Sequence, residues 1–373
     1  MILVFDTNII HEDFYLQGSR ISRLCSAAEK LGYELMVPEV VVDEMLNQYR
    51  KRILQNIPGY ASVLRMVART QGIVDKFDKE VFVDERVREY ETFLKKRLSD
   101  IKIDIIAYPK VDARTLVLKQ LGAKKPFREM KDGIVGTCDA VIWESVKTVC
   151  RPSDALIEDP QVELLTNNIK DFAGPDKNLH PDLVLELKNA GFAENCVALI
   201  PDIDCYFKDR IDPELEELEK IKRVLLKDGK FNRFDVAQES ARVLNQDFIA
   251  EVLNDLDFDS GQRFYLPNYV EDPTINNVND PVIKDITVRR LSDQSVLIEV
   301  QAIVSVDLDF FVENSNYFTL DEDHLPDILD STWNDYYMWC EGSADVSASL
   351  AFRTTPKLGK ILSEDVQVTG VVM

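Results

Sequence analysis

The sequence predicts two domains of different class: an α/β domain with a parallel sheet over residues 1–205, and an acidic α+β domain with an antiparallel sheet over 206–373. Strands and helices alternate in the first part, which favours a parallel sheet with helices on both faces. Apolar and polar residues alternate over 298–310, as in an antiparallel strand with one wet face. A chain of 373 residues is also longer than one hydrophobic core usually serves.

The strands of the first domain are predicted from short apolar runs. ILVF at 2–5 indicates a buried strand that ends in polar residues, and a second strand follows at 35–37. Residues 162–166 and 196–200 supply two more strands. Apolar residues at three- and four-residue steps indicate an inserted helical region over about 50–107.

The second domain begins with two predicted helices over residues 213–255. The segment 256–281 is rich in Asp, Asn and Pro and predicts a loop or hinge before the strands. A later aromatic cluster could stack bases, but surrounding acidic residues make core packing or a protein contact the favoured interpretation. The cluster consists of Trp333, Tyr336, Tyr337 and Trp339.

The formal net charge of −22 is unevenly distributed along the chain. Residues 201–373 hold 35 acidic against 16 basic side chains, whereas residues 1–200 hold 31 against 28. Within the first part, residues 110–131 carry seven basic side chains against two acidic ones. This basic segment reads as a solvated helix face unless it borders a catalytic site, where it could attract phosphate.

Several classes of protein are disfavoured by composition. The sequence contains no run near the roughly 20 apolar residues that cross a bilayer, and the start MILVFDTN reaches an aspartate too early for a secretory signal. We therefore expect a cytoplasmic protein without a membrane partner. Six scattered cysteines and the dispersed His11, His180 and His324 support neither a disulfide framework nor a zinc site.

Four acidic residues occupy positions at which a parallel sheet could bring them into one cleft. They are Asp6 after the first strand, Glu44 on the next helix, Asp139 at a helix start and Asp171 beyond the third predicted strand. Each one alone reads as a helix cap or a surface charge. Gathered together, carboxylates repel one another unless a cation neutralises them, so the cluster predicts bound Mg²⁺ or Mn²⁺.

These residues lie in motifs that resemble PIN-domain nucleases, in a larger bacterial-type branch with a helical insertion and an extra C-terminal domain. The motifs are VFDTN at 4–8, PEVVVDE at 38–44, CDAVIWE at 138–144 and LLTNNIKDF at 164–172. The resemblance covers about residues 1–200 and implies a three-layer α/β/α fold. It also implies a metal-dependent endoribonuclease, in which the carboxylates hold Mg²⁺ or Mn²⁺ and the phosphodiester is hydrolysed to leave a 5′ phosphate.

The resemblance assigns the acidic roles to Asp6, Glu44 and Asp139, and the fourth role passes to Asp171 because Asn168 stands where many members have an aspartate. Asp171 could instead be structural. The residues expected on the substrate side are Thr7, Asn8, Lys125, Arg128, Lys131, Thr166 and Asn168.

Other functions stay open at this stage. A PIN-like module that binds RNA or a protein without cutting is the main alternative, and the acidic C-terminal domain is its candidate interaction surface. A phosphatase with Asp6 as nucleophile is disfavoured because Asn8 stands where such enzymes usually place a second acid. The expected partner is nucleic acid, most simply RNA, and a homodimer and a protein partner at the C-terminal domain remain open.

Overall fold

The structure is a computed structural model that describes residues 1–11, 13–71, 77–131, 133–152, 160–253, 270–317 and 326–372. Most of the loop expected over 256–281, and also His324, lie outside the described residues. The chain divides into two compact units, Met1–Pro213 and Glu214–Met373. The first unit continues past residue 205 because a turn of π-helix at Phe207–Ile211 buries both of its end residues.

The first unit alternates strands and helices along the chain, as the sequence predicts. Its elements are β1 (Ile2–Phe5), α1 (Thr7–Ile10), α2 (Ser19–Leu31), β2 (Glu34–Pro38), α3 (Glu39–Gln71), α4 (Lys79–Asp100), β3 (Ile103–Ile106), α5 (Ala113–Leu121), β4 (Arg128–Met130), β5 (Gly133–Val135), α6 (Thr137–Val149), β6 (Val162–Leu165), α7 (Ile169–Phe172), α8 (Pro181–Asn189), β7 (Val197–Ile200) and α9 (Ile203–Tyr206).

The central sheet of this unit is parallel and has the strand order β3-β2-β1-β6-β7. All four residues of β1 are buried, as expected for a strand covered on both faces. Helices α2, α3 and α6 pack on β2, and α6 also contacts β6. The predicted α/β fold with a parallel sheet is therefore confirmed.

The inserted helices are α3 and α4, which pack against each other through the stacked rings of Tyr49 and Tyr90, 4.0 Å apart between centroids. The expected insertion reached residue 107, but Ile103–Ile106 form β3, which pairs with β2 at the edge of the sheet. Its two central side chains, Asp104 and Ile105, are exposed. A four-residue edge strand of this kind has too little alternation to be separated from a helix end by pattern alone.

The second unit combines helices with a large antiparallel sheet. Its elements are α10 (Asp212–Asp228, which begins at the boundary), β8 (Lys230–Phe231), β9 (Phe234–Asp235), α11 (Val236–Phe248), β10 (Glu271–Val278), β11 (Val282–Arg290), β12 (Val296–Glu313), α12 (Asn314–Tyr317), β13 (Asp327–Asp330), β14 (Tyr337–Thr354) and β15 (Ile361–Val372).

The long strands β12 and β14 pair along their full 18 residues and form the centre of the antiparallel sheet. Burial alternates along both strands, so one face is packed and the other is wetter. Strands β10 and β11 follow each other along the outer edge of β12, and β13 and β15 do the same along β14. The predicted antiparallel sheet is confirmed.

Two details of the second unit differ from the sequence interpretation. Glu271–Val278 form an edge strand where a loop was expected, and its Pro273 is tolerated because it lies at a break in the ladder between Glu271 and Thr274. In the aromatic cluster, Trp333 is 50% exposed and Tyr336 is 71% exposed, so these two rings do not pack in a core. None of the helices in the described segments is long and apolar enough to cross a membrane.

Candidate nuclease site

The predicted site residues gather at the carboxyl ends of β1 and β6. The chain adds β2 and β3 on one side of β1 and returns to place β6 on the other side, so the direction of strand order reverses between β1 and β6. Open α/β sheets bind their ligands at such a reversal. Asp6 directly follows β1 and Thr166 directly follows β6, and the Asp6 backbone N–H donates to the Leu165 carbonyl at 3.0 Å.

Asp6 is buried and is held by two side-chain donors. The Thr166 hydroxyl and the Asn8 amide both donate to Asp6 Oδ2, with the Asn8 nitrogen 2.6 Å away. The Asn8 carbonyl oxygen accepts from the Asn167 backbone N–H at 2.8 Å, which fixes the orientation of the amide. Burial raises the pKa of Asp6, and the Thr166 hydrogen bond opposes that rise. Asn8 and Thr166 therefore act on the Asp6 carboxylate directly.

Glu44 reaches the same edge from the second turn of α3. Its carboxylate accepts a hydrogen bond from the Thr7 hydroxyl at the start of α1. The thiol of Cys138 also donates a hydrogen bond to Glu44. Burial and a hydrogen bond to Glu44 raise the pKa of Cys138 to about 12, so the thiol stays protonated near neutral pH. Cys138 is therefore a donor to Glu44, a role that the scattered positions of the six cysteines do not reveal.

Asp139 lies in the first turn of α6 and accepts from the Asn168 amide, with 2.8 Å between Asn168 Nδ2 and Asp139 Oδ1. Burial raises the pKa of Asp139 to about 7, and the negative charges of Asp171, Asp6 and Glu44 add to the rise. The other three acidic residues predicted from sequence are thus all close enough to act on Asp139.

Gly136 determines where α6 begins and therefore where Asp139 lies. Its φ of +114° is one that residues with a Cβ rarely adopt, and an added Cβ would lie 2.8 Å from the Pro126 carbonyl oxygen.

We expect Gly136→Ala to lower the free energy of unfolding by about 1–3 kcal/mol in a urea titration. Gly59→Ala is the control, since nothing lies within 4 Å of its added Cβ inside α3 and a gain of about 0.5–1 kcal/mol is expected. Equal stabilities for the two variants would contradict this reading of Gly136.

Asp171 is buried on the short helix α7 and forms an ion pair with Arg128, with 3.2 Å between Arg128 Nη1 and Asp171 Oδ2. Its other carboxylate oxygen, Oδ1, is buried without a hydrogen-bond partner. Arg128 begins the hairpin β4–β5, and the Lys125 ammonium donates to the Lys170 carbonyl beside Asp171. Lys131 is exposed near the hairpin turn and has no ion pair with a described residue.

The basic segment contributes less free positive charge than its composition indicates. The ammonium of Lys119 lies 2.7 Å from carboxylate oxygens of both Glu144 and Glu186, and all three side chains are mostly buried. Lys147 joins the same network. Lys119 therefore supports the packing of α5 and α6 and does not contribute positive charge to the site. The basic side chains beside the site are Arg128 and Lys125, near Asp171.

The donor chemistry of this edge suits a hard divalent cation, because it offers carboxylate and amide oxygens. Asp171 Oδ1 supplies a buried oxygen that no protein group satisfies. Within the described segments, however, no three acidic, His or Cys side chains already surround one point that could hold an ion. The carboxylates instead point to hydroxyl, amide and guanidinium donors, so holding an ion requires some of these side chains to turn.

Tyr108 and Cys138 both lie near this edge, and sequence reasoning missed both. Tyr108 follows β3, and its hydroxyl donates to Asp43 of α3 at 2.6 Å, while its backbone N–H donates to Glu39. The signal of Tyr108 in the sequence is weak, because Tyr108 follows a strand that the pattern did not separate from the helical insertion. Cys138 could have been noticed from its place next to Asp139 in CDAVIWE.

Comparison with known proteins supports what the sheet and its acidic edge indicate. Residues 3–172 match the family model of the PIN domain, which spans β1 to α7 and includes all four acidic residues. Searches of the curated proteins and of the solved structures found no match. Residues 3–172 of this chain are therefore a PIN domain, and PIN domains are generally nucleases.

Proposed function

We propose that this chain is a metal-dependent endoribonuclease. The observation that carries the proposal is the closeness of four carboxylates at one sheet edge: Asp171, Asp6 and Glu44 add to the effect of burial in raising the pKa of Asp139. Asp6, Glu44, Asp139 and Asp171 would hold Mg²⁺ or Mn²⁺, the kind of cofactor that PIN domains typically use. Such an ion supplies positive charge at a scissile phosphate and makes a water more acidic.

The neighbouring polar residues orient the carboxylates. Asn8 and Thr166 fix the Asp6 carboxylate, Thr7 fixes Glu44, and Asn168 fixes Asp139. The Thr166 and Asn8 hydrogen bonds oppose the rise in the pKa of Asp6, and the Asn168 hydrogen bond opposes the rise in the pKa of Asp139, so these donors favour the ionised carboxylates. In this proposal the four donors hold the carboxylates while no metal is bound, and some of them turn away when the ion binds.

The cations beside Asp171 would bind the substrate backbone. Arg128 is one-third exposed and can reach a phosphate while it remains near Asp171. Lys125 lies close by and Lys131 extends from the hairpin into solvent. Positive side chains at this edge would offset the repulsion between RNA and a chain of net charge −22.

A PIN-like module that binds RNA or a protein without cutting is the second candidate. It is favoured by one observation: the carboxylates already have protein donors, and no set of three surrounds a common point in the described part of the chain. A homodimer, a protein partner of the C-terminal unit and a cytoplasmic location remain predictions of the sequence.

Cleavage of end-labelled single-stranded RNA by the full chain separates the two candidates. A nuclease cuts the strand with added Mg²⁺ or Mn²⁺, leaves 5′ phosphate ends, and stops when EDTA is present. A binding module retains the labelled RNA in a filter assay with and without metal and leaves it whole. Single-stranded DNA of the same sequence, assayed in parallel, measures the preference for RNA.

The raised pKa of Asp139 predicts how stability depends on pH when no metal is present. Between pH 3.8 and about 7 the folded chain keeps a proton on Asp139 that the unfolded chain has released. The free energy of unfolding therefore falls as the pH rises through this range. In EDTA at pH 8, Asp139→Asn should be about 1–3 kcal/mol more stable than the wild type, because its amide carries no charge to bury.

Urea unfolding at pH 5 and pH 8 measures this effect. Asp100→Asn is the control, since Asp100 is exposed at the end of α4 and its loss should leave the pH dependence unchanged. Mg²⁺ should stabilise the wild type more at pH 8 than at pH 5, because a cation competes with the proton on Asp139. Parallel curves for the wild type and Asp139→Asn would refute the assignment.

A further inference from the structure

Two adjoining hollows lie beside α3, between the acidic edge and the far end of the helical insertion. The hollow lined by aromatic rings, here called the aromatic pocket, has a volume of about 500 Å³, which is within the range of ligand sites. Its rings are Phe14, Tyr15, Tyr49, Tyr60 and Phe82. The second hollow, here called the polar groove, is lined by His11, Gln48, Lys51 and Gln55 and shares Phe14 and Arg52 with the pocket.

Tyr60 and Tyr15 of the aromatic pocket each contact another aromatic ring and are still partly exposed to solvent. Tyr60 stacks on Phe82 with centroids 5.1 Å apart, and Tyr15 meets Phe93 edge-on at 5.5 Å. Tyr60 is nevertheless 47% exposed and Tyr15 is 53% exposed. An aromatic ring that is held by a neighbouring ring and partly exposed to solvent is suited to stacking against another flat ring.

Positive charge stands where the two hollows meet. The Arg52 guanidinium lies 5.4 Å from the centroid of Phe14, and Lys51 projects into the polar groove. Neither side chain has an ion pair with any residue that the structure describes. The rim also holds Asp13, whose carboxylate accepts from the Gly18 backbone N–H at 2.6 Å. Two cations without an ion pair among the described residues, against one locally bonded carboxylate, favour an anionic ligand.

One face of α3 connects these hollows to the candidate nuclease site. Glu44, Gln48 and Arg52 follow each other at four-residue steps, and residues four apart lie on the same helix face. At 1.5 Å per residue, Arg52 is about 12 Å along the axis from Glu44. At the ends of α1, the Thr7 hydroxyl contacts Glu44, and His11, the residue after the helix, lines the groove. The path from carboxylates to rings is therefore continuous and short enough for a few nucleotides.

We propose that the aromatic pocket binds an unpaired base of a single-stranded nucleic acid whose backbone crosses the polar groove to the carboxylate edge. The proposal rests on the proposed function and deepens it, because it adds a base-binding subsite remote from the cleavage point. Open rings provide stacking that tolerates different bases, and Lys51 and Arg52 face the phosphates. A base inside a duplex is stacked on both faces by the neighbouring base pairs, so the pocket selects strands that are single-stranded at this distance from the cut.

Fluorescence anisotropy with labelled single-stranded RNA octamers in EDTA tests the subsite without cleavage. Tyr60→Ala and Arg52→Gln should each weaken binding about 10-fold, and Tyr15→Ala provides a second ring variant. Tyr336→Ala, an exposed ring of the second unit, and Arg50→Gln, whose side chain pairs with Asp84, should bind like the wild type. Thermal unfolding of every variant reports whether it is folded.

A set of octamers, each lacking one base, identifies the contact itself. One abasic position should cost the wild type about as much affinity as Tyr60→Ala does, and that position should cost the Tyr60→Ala protein nothing more. Additive losses, or wild-type affinity in both ring variants, would overturn the subsite.

The wild type is assayed for metal-dependent cleavage in parallel, so the two proposals fail separately. Cleavage together with unchanged binding by the pocket variants overturns the subsite and leaves the nuclease function standing. Binding that depends on Tyr60 and Arg52 without any cleavage supports the subsite and overturns the nuclease function. A wild-type chain that neither binds nor cuts the octamers overturns both.

Discussion

Asp6→Asn is expected to reduce metal-dependent RNA cleavage by at least about 100-fold while the chain stays folded. The substitution removes the negative charge at the carboxyl end of β1 and leaves the shape of the side chain. Asp6 Oδ2 accepts both the Asn8 and Thr166 hydrogen bonds, so the single amide oxygen of Asn can replace it. Because burial raises the pKa of Asp6, loss of its charge should leave the thermal midpoint unchanged or higher.

The cleavage rate and the thermal midpoint, measured on the same preparation, together test this prediction. A merely structural aspartate would lose activity and stability together when it is replaced. Asp100→Asn changes charge by the same amount on an exposed surface and should match the wild type in both measurements. Wild-type cleavage by Asp6→Asn would remove the carboxylate edge as the site of reaction.

The fold was predictable from sequence wherever burial was one-sided or complete. The run ILVF predicted β1 because a strand covered on both faces is apolar throughout, and the alternation at 298–310 predicted β12 because one face is wet. The strands missed or misread are edges. The centre of β3 is exposed, and β10 carries a proline at a break in its ladder, so neither has the pattern of a central strand.

The site was predictable in its charges and less so in its contacts. Asp6 follows a strand and Asp139 lies in the first turn of a helix, and the order of elements along the sequence reveals both positions. That Cys138 donates to Glu44, or that Lys119 is taken up by Glu144 and Glu186, depends on which way side chains turn after packing. Spacing along the chain does not carry that information, because these pairs join elements that meet only in the folded unit.

Arg128→Gln is expected to lower the free energy of unfolding by about 3 kcal/mol in the absence of metal, because it removes the ionic partner of a buried carboxylate. The Asp171 side chain is only 2% exposed, and its Oδ1 has no hydrogen-bond partner, so water cannot readily replace the lost guanidinium. At pH 8, where Asp139 is ionised, its negative charge makes an uncompensated Asp171 still less favourable. Arg20→Gln, which breaks the exposed pair with Asp204, should cost no more than about 1 kcal/mol.

A double-mutant cycle with Asp171→Asn separates the ion pair from the rest of the Arg128 side chain. If the loss comes from the uncompensated carboxylate, Asp171→Asn should restore most of the stability of Arg128→Gln, and the coupling in urea should reach about 2 kcal/mol. Mg²⁺ should then stabilise Arg128→Gln more than the wild type, since an ion bound by Asp171 takes over the neutralising role of the guanidinium. A coupling below about 0.5 kcal/mol, with equal stabilisation by Mg²⁺, would show that Arg128 contributes packing alone and that Asp171 needs no cation.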